Sequence, residues 1–255
     1  PGIGIPESVT SIGYRAFSGC TTLTSLTIGN GVITIGEWAF SGCTDLTSIM
    51  IPDSVTIIAY DAFEGCTGLT SVTIGSGVTS IGAGAFSGCT GLTSVTIPDS
   101  VTSIGGWTFQ NCTTLTSLTI GNSFTSIGPW AFVGCAKLNY AKVGSGVMLF
   151  RTGPCPVGAF VIQATVEGLP VTQLGDGIFS SCTNLTSITI PDSVTSIGNQ
   201  AFYGCASLTS VMIGNSVTSI GDNAFQGCTC LTSVTIPDSV ISIGSYAFCG
   251  CAGLT

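Results

Sequence analysis

The sequence predicts a mostly-β solenoid of about eleven stacked 23-residue coils, and three columns of residues predict it. Phe recurs at 17, 40, 63, 86, 109 and 132, then at 179, 202, 225 and 248, in steps of 23 with a single gap of 47. Three residues after each Phe stands a Cys, and three after that a Leu, from Leu23 to Leu254. A fixed period in this range is the signature of repeated supersecondary units that bury their apolar faces against each other.

Counting that Leu as position 1, the repeat reads L-T-S-V-T-I-(P/G)-x-S-V-T-S-I-G-x-x-A-F-x-G-C-x-x. The alternation of β-branched and polar residues at positions 4 to 6 predicts a short strand with its apolar side inward, and the Pro or Gly at position 7 ends it. A second extended piece, V-T-S-I, follows. The Gly at position 14 permits a turn that a side chain would obstruct. A-F-x-G-C then packs small, large and medium groups inward as an irregular or 3₁₀ turn. No coil can bury its inward face alone, so stacking at the ~4.8 Å spacing of paired strands has to supply the core as ladders of Leu, Ile, Val, Phe and Cys.

The pattern L-x-x-L-x-I followed by A-F-x-G-C resembles the BspA-like class of leucine-rich repeats, over nearly the whole chain. The resemblance implies a leucine-rich-repeat solenoid with short parallel strands along one side, of a kind found on surface and secreted proteins and used in adhesion. It implies no particular ligand.

Regular repeats occupy residues 1–138 and 179–255, and the segment 139–178 departs from the pattern, although the step across it from Phe132 to Phe179 keeps the length of two coils plus one residue. Val143, Val147 and Phe150 fall at inward positions, so the same solenoid is expected to continue through it. Lys137, just before it, and Lys142 and Arg151, within it, are three of the four basic residues; the segment reads as a junction between duplicated blocks or as a bulged binding loop. Position 7 alternates Pro6, Gly29, Pro52, Gly75, Pro98, Gly121, which makes a pair of coils the duplicated unit.

Charged residues make up 6% of the chain, there is no His, and the net charge is −8. Nucleic acid is excluded as a partner, because phosphate binding needs clustered cations. No apolar run is long enough for a membrane span. Without imidazole, and with no Ser in a nucleophile motif, catalysis has little to use, and no cofactor or metal site is expected. Asp53 and Asp99, in equivalent P-D-S turns, are the best carboxylate pair, and Asp after Pro is ordinary turn chemistry. Ten of the 13 Cys form the inward ladder and are expected as reduced thiols, since neighbouring rungs are too far apart to bridge. Cys155, Cys230 and Cys249 lie outside it; Cys230 and Cys249, in adjacent coils, could pair.

The variable positions 15 and 16 carry Tyr14, Trp38, Tyr60, Trp107, Trp130 and Tyr246, and aromatics repeated along an edge either stack on sugar rings, bury in a partner, or fold back as packing. Outward Ser25, Ser48, Ser71, Ser94 and Ser117 lie beside Thr27, Thr73, Thr96 and Thr119 in a hydroxyl array of the kind seen on ice-binding solenoids, interrupted by Met50, Lys142 and Met212. Asn111-Cys-Thr and Asn184-Leu-Thr fit the N-glycosylation pattern. The sequence starts and stops inside strands without polar caps, so it is either part of a longer chain or stacks end to end through Ile3, Ile5, Cys251 and Leu254.

Three functions compete. The first is a non-enzymatic extracellular or cell-surface module for adhesion, recognising a protein or glycan. The second is a structural protein whose copies join into filaments. The third, more remote, is a carbohydrate- or ice-binding surface.

Overall fold

The computed structural model describes residues 2–123, 126–128, 130–150 and 154–254; Arg151 and Thr255 lie outside them. It is built from β-strands and turns, with no helix among the described residues, and divides into two compact units, Pro1–Leu138 and Asn139–Thr255.

In the first unit each coil contributes one four-residue strand and one two-residue strand. The long strands are β1 (Gly2–Ile5), β3 (Ser25–Ile28), β5 (Ser48–Ile51), β7 (Ser71–Ile74), β9 (Ser94–Ile97) and β11 (Ser117–Ile120). The short ones are β2 (Ser11–Ile12), β4 (Thr34–Ile35), β6 (Ile57–Ile58), β8 (Ser80–Ile81), β10 (Ser103–Ile104) and β12 (Ser126–Ile127). Pairing is parallel and joins equivalent positions of successive coils, Val95 with Leu118 and Ile97 with Ile120 for instance. In β3, β5, β7, β9 and β11 the burial alternates residue by residue, with Leu, Ile or Val inward and Ser, Thr or Met outward. A one-residue slip would turn this whole set outward, so the alternation fixes the register.

The third side of the coil is a chain of turns. The N–H groups of Ala39, Ser41 and Cys43 donate to carbonyls three residues back, at Gly36, Trp38 and Phe40. Between them, the N–H groups of Trp38, Phe40 and Gly42 donate forward, to Tyr60, Ala62 and Glu64 of the next coil, at 3.0, 2.8 and 2.7 Å. Alternate N–H groups thus close local turns and bind the neighbouring coil, which is why the segment is irregular and not a 3₁₀ helix.

Phe40, Phe63, Phe86 and Phe109 are fully buried and stack as successive rungs, with ring centroids 5.3 to 5.5 Å apart and planes within 7°. Each ladder Cys beneath them does more than fill space, for its thiol donates to the carbonyl of the preceding coil's Phe: Cys66 to Phe40, Cys89 to Phe63 and Cys112 to Phe86, each at 3.2 Å. On the outside, Thr hydroxyls bond coil to coil, Thr70 to the Thr47 carbonyl at 3.0 Å and Thr79 to that of Thr56 at 3.2 Å. These hydroxyls bind the neighbouring backbone on a surface where most proteins use charge.

The Pro/Gly alternation has a steric cause. A Cβ on Gly75 would lie 2.5 Å from the backbone of Pro52 directly below it, so the coil above a Pro turn has room only for Gly. The Asp of the Pro coil then binds the turn above. The Asp53 carboxylate accepts from the N–H and the hydroxyl of Ser76 at 2.6 and 3.0 Å, and Asp99 accepts from the Asn122 N–H at 2.7 Å. The pair of coils is therefore a physical unit as well as a sequence unit.

In the second unit the segment that breaks the repeat forms two antiparallel hairpins. Strands β13 (Tyr140–Val143) and β14 (Gly146–Leu149) pair Tyr140 with Leu149, and β16 (Thr165–Val166) folds onto β17 (Leu169–Leu174). Val147 is fully buried, whereas Val143 and Phe150 are half-buried. Strand β15 (Gly158–Val161) pairs in parallel with β18 (Leu185–Thr189), with a bulge after Gly158. Regular coils follow through β19 (Ser196–Ile197), β20 (Ser210–Met212), β21 (Ser219–Ile220), β22 (Ser233–Thr235) and β23 (Ser242–Ile243), with Phe179, Phe202, Phe225 and Phe248 stacked at 4.9 to 5.3 Å.

One expectation is overturned here. Cys182 belongs to the ladder column, yet it forms a disulfide with Cys155, their Cα atoms 5.1 Å apart. The spacing argument holds between rungs, but Cys155 is no rung: it arrives from the irregular segment and can approach the column closely. Cys230 and Cys249 do not pair with each other and are both exposed thiols.

Candidate functional site

The turn that carries positions 15 and 16 holds a strained backbone in nearly every coil. Arg15, Trp38, Asp61, Trp107, Trp130, Gln200, Asn223 and Tyr246 occupy position 16, and all have φ between 52° and 57°. Gly84 and Gly177 fill the same place at 64° and 62°. Side chains other than Gly and Asn adopt this left-handed region at a cost of roughly 1–2 kcal/mol each, because Cβ crowds the following carbonyl. Stacking favours it: the N–H groups of Arg15, Trp38, Asp61, Gln200 and Asn223 each donate to a carbonyl of the next coil, as Trp38 does to Tyr60. The result, within each unit, is a column of side chains projected from turns whose backbone is held in a costly conformation.

The aromatic candidates separate into three places. Tyr14, Trp38 and Tyr60 pack edge to face in consecutive coils, at 5.6 Å and 81°, then 4.8 Å and 76°. Trp107 and Trp130 stack nearly parallel, 5.4 Å apart at 23°. The coil between these two patches presents Ala83 and Gly84, and the Asp61 carboxylate fills the space where a Cβ on Gly84 would lie. Tyr246 stands in the second unit, 69% exposed. Tyr60, Trp107 and Trp130 remain 42, 41 and 37% exposed, so each patch packs on itself and still faces solvent.

The first patch carries charge that single-residue inspection of the sequence missed. The Arg15 guanidinium sits 5.3 Å from the centroid of the Tyr14 ring and 5.2 Å from that of Trp38. On the far side, a hydrogen bond with the Asp61 carboxylate raises the pKa of the Tyr60 phenol, with Glu64 and Glu37 adding to the effect. Burial raises the pKa of Asp61 itself. The available signal was columnar: Arg15, Glu37 and Asp61 occupy positions 15 and 16 of three successive coils, next to the rings, with Glu64 three residues beyond Asp61.

The remaining candidates fall as follows. Asp53 and Asp99 are each engaged by the turn above, as turn residues. Ser48, Ser71, Ser94 and Ser117 form an exposed column, and Met50 stands 69% exposed in the Thr column beside it. An open groove of about 590 Å³ lies beside Met50, over Leu26, Ile51, Pro52 and Ile74. Asn111 and Asn184 are exposed. Ile5 and Cys251 are buried, Leu254 is half-buried and Ile3 is 38% exposed. No group of His, Cys, Asp and Glu among the described residues is arranged to hold a metal ion, and no helix is long and apolar enough to cross a membrane.

A solenoid of 23-residue coils with a buried Leu, Phe and Cys ladder defines the protein as a leucine-rich repeat protein. The family model for the BspA type leucine rich repeat region matches residues 2–90, 58–153 and 161–255, and the chain belongs to that family. Among solved structures, a leucine rich cell surface protein from Faecalibacterium prausnitzii A2-165 is 37% identical, with 99% of this chain and 71% of that one covered and a TM-score of 0.57. A leucine-rich repeat protein from Bacteroides ovatus ATCC 8483 is 28% identical over 100% of this chain and 85% of that one, with a TM-score of 0.54. The pneumococcal vaccine antigen PcpA shares the fold at 22% identity, over 100% of this chain and 60% of its own, with a TM-score of 0.51. No curated protein matches.

Proposed function

We propose that this protein is a non-enzymatic cell-surface or extracellular module that recognises a protein or glycan through the aromatic edge of its first unit. The observation that carries the reading is the pairing of the half-buried Trp38 with the exposed Tyr60, and of the exposed Trp107 with the exposed Trp130, on a backbone held in a costly conformation. The 37% identity to a protein described as a cell surface protein supports the location.

Binding to an array of glycans and immobilised extracellular proteins tests it. Trp107→Asn with Trp130→Asn is the informative variant, since Asn223 occupies the same backbone position at φ 55° and the substitution leaves the fold intact. Loss of the signal supports the edge, and unchanged binding to every captured target removes it.

A further inference from the structure

The first aromatic patch has a shape and a charge that the second lacks. Trp107 and Trp130 are nearly parallel and offer a flat platform. Trp38 meets Tyr60 at 76°, so the two rings form a corner whose faces point in different directions. A cation can be held over either face of such a corner, because the face of each ring carries negative quadrupole charge.

The chain already demonstrates this preference. Arg15 places its guanidinium within 5.3 Å of two ring centroids of this patch. The seat beside it, at Tyr60, is 42% exposed and has Glu37 and Glu64 near it, two of the twelve carboxylates in a chain with a net charge of −8, while the buried Asp61 carboxylate holds the Tyr60 hydroxyl. Ser41 donates to Glu64 at 3.2 Å and holds that carboxylate along the same edge. Rings that bind a guanidinium, carboxylates next to them and an overall negative field are complementary to one class of ligand.

We infer that the edge formed by Tyr14, Trp38 and Tyr60 with Glu37 and Glu64 binds an arginine-bearing segment of a partner protein. Arg15 occupies the first seat from within the chain, and a partner's guanidinium takes the next, over Trp38 and Tyr60. The inference rests on the reading of the edge as a recognition surface and narrows it to a cationic peptide.

The experiment measures fluorescence anisotropy of a labelled eight-arginine peptide, and of a Gly–Ser peptide of equal length, with the full chain. Trp38→Asn with Tyr60→Ala copies residues found at the same positions of other coils, Asn223 and Ala83, so folding is preserved. This variant is expected to weaken arginine-peptide binding roughly fivefold or more, at a twofold to fivefold loss per ring. Glu37→Gln with Glu64→Gln weakens it too, while Glu7→Gln with Asp238→Asn, the same charge change elsewhere, leaves it nearly unchanged. Arg15→Gln, which copies Gln200 at the same position of another coil, tightens it by vacating the first seat. Equal effects from the two charge pairs would reduce the binding to net charge and overturn the inference, as would indifference to the ring substitutions. If the Trp107/Trp130 variant loses its targets while the arginine peptide ignores Trp38 and Tyr60, recognition by the edge stands and the cationic ligand falls.

Discussion

The Cys66 thiol donates to the carbonyl oxygen of Phe40, 26 residues earlier, at 3.2 Å, and the same carbonyl accepts the N–H of Cys43. One buried acceptor is thus shared by its own turn and by the next coil. The Cys column survives through the repeat because it combines the volume of a small hydrophobe with a weak donor at a fixed place. Cys66→Ala removes both, and is expected to cost about 1–3 kcal/mol in denaturant-induced unfolding. A cost near zero would mean that the sulfur only fills space.

The same burial predicts instability in alkali. Burial raises the thiol of Cys43 to about 11 and that of Cys66 to about 12, from 9.0. Above pH 9 the unfolded chain loses these protons while the folded chain keeps them, so stability is full below that pH and declines as pH rises toward 11 or 12. Each such thiol removes about 1.4 kcal/mol per pH unit in that window. Thermal unfolding followed from pH 7 to 11 should show a steep fall beginning near pH 9, shallower in Cys66→Ala.

Position 16 was not legible in the sequence. Arg, Trp, Gln and Tyr are poor markers of a left-handed backbone, and only Gly84, Gly177, Asn223 and Asp61 hinted at it. Replacing Gln200, which has φ 53°, separates the backbone effect from ring packing. Gln200→Val is expected to destabilise by roughly 1–2 kcal/mol, because a β-branched side chain suits this region worst, whereas Gln200→Gly should be neutral or stabilising. Equal losses from both would show that the side chain and not the backbone matters there.

The Cys155–Cys182 bridge closes a separation of 27 residues, and a loop of this size stabilises by about 3–4 kcal/mol on the chain-entropy account. A reductant should lower the melting temperature of the wild-type protein and leave Cys155→Ala unaffected. Hydrogen exchange should then rise first in β15 and β18, the strands that flank the bridge.

What the sequence disclosed and what it hid divide along a physical line. The period, the strands and the buried columns were legible because identical residues must meet identical residues when coils stack in register. The two hairpins of 139–178 and the disulfide were not, since that segment has no neighbour of its own kind to align with. The aromatic column was visible, but its division into a cornered, charged patch and a flat one depends on ring orientation, which side-chain packing sets.

Successive coils in register are the foundation of all these statements, and the Phe ladder reports on them most directly. In a deuterated chain carrying protonated Phe, ring-to-ring NOEs should join Phe63 to Phe86, whose centroids are 5.3 Å apart, and Phe86 to Phe109, at 5.5 Å. No NOE should join Phe63 to Phe109, two rungs apart. Missing neighbour contacts, or a direct contact between Phe63 and Phe109, would contradict the stacked solenoid.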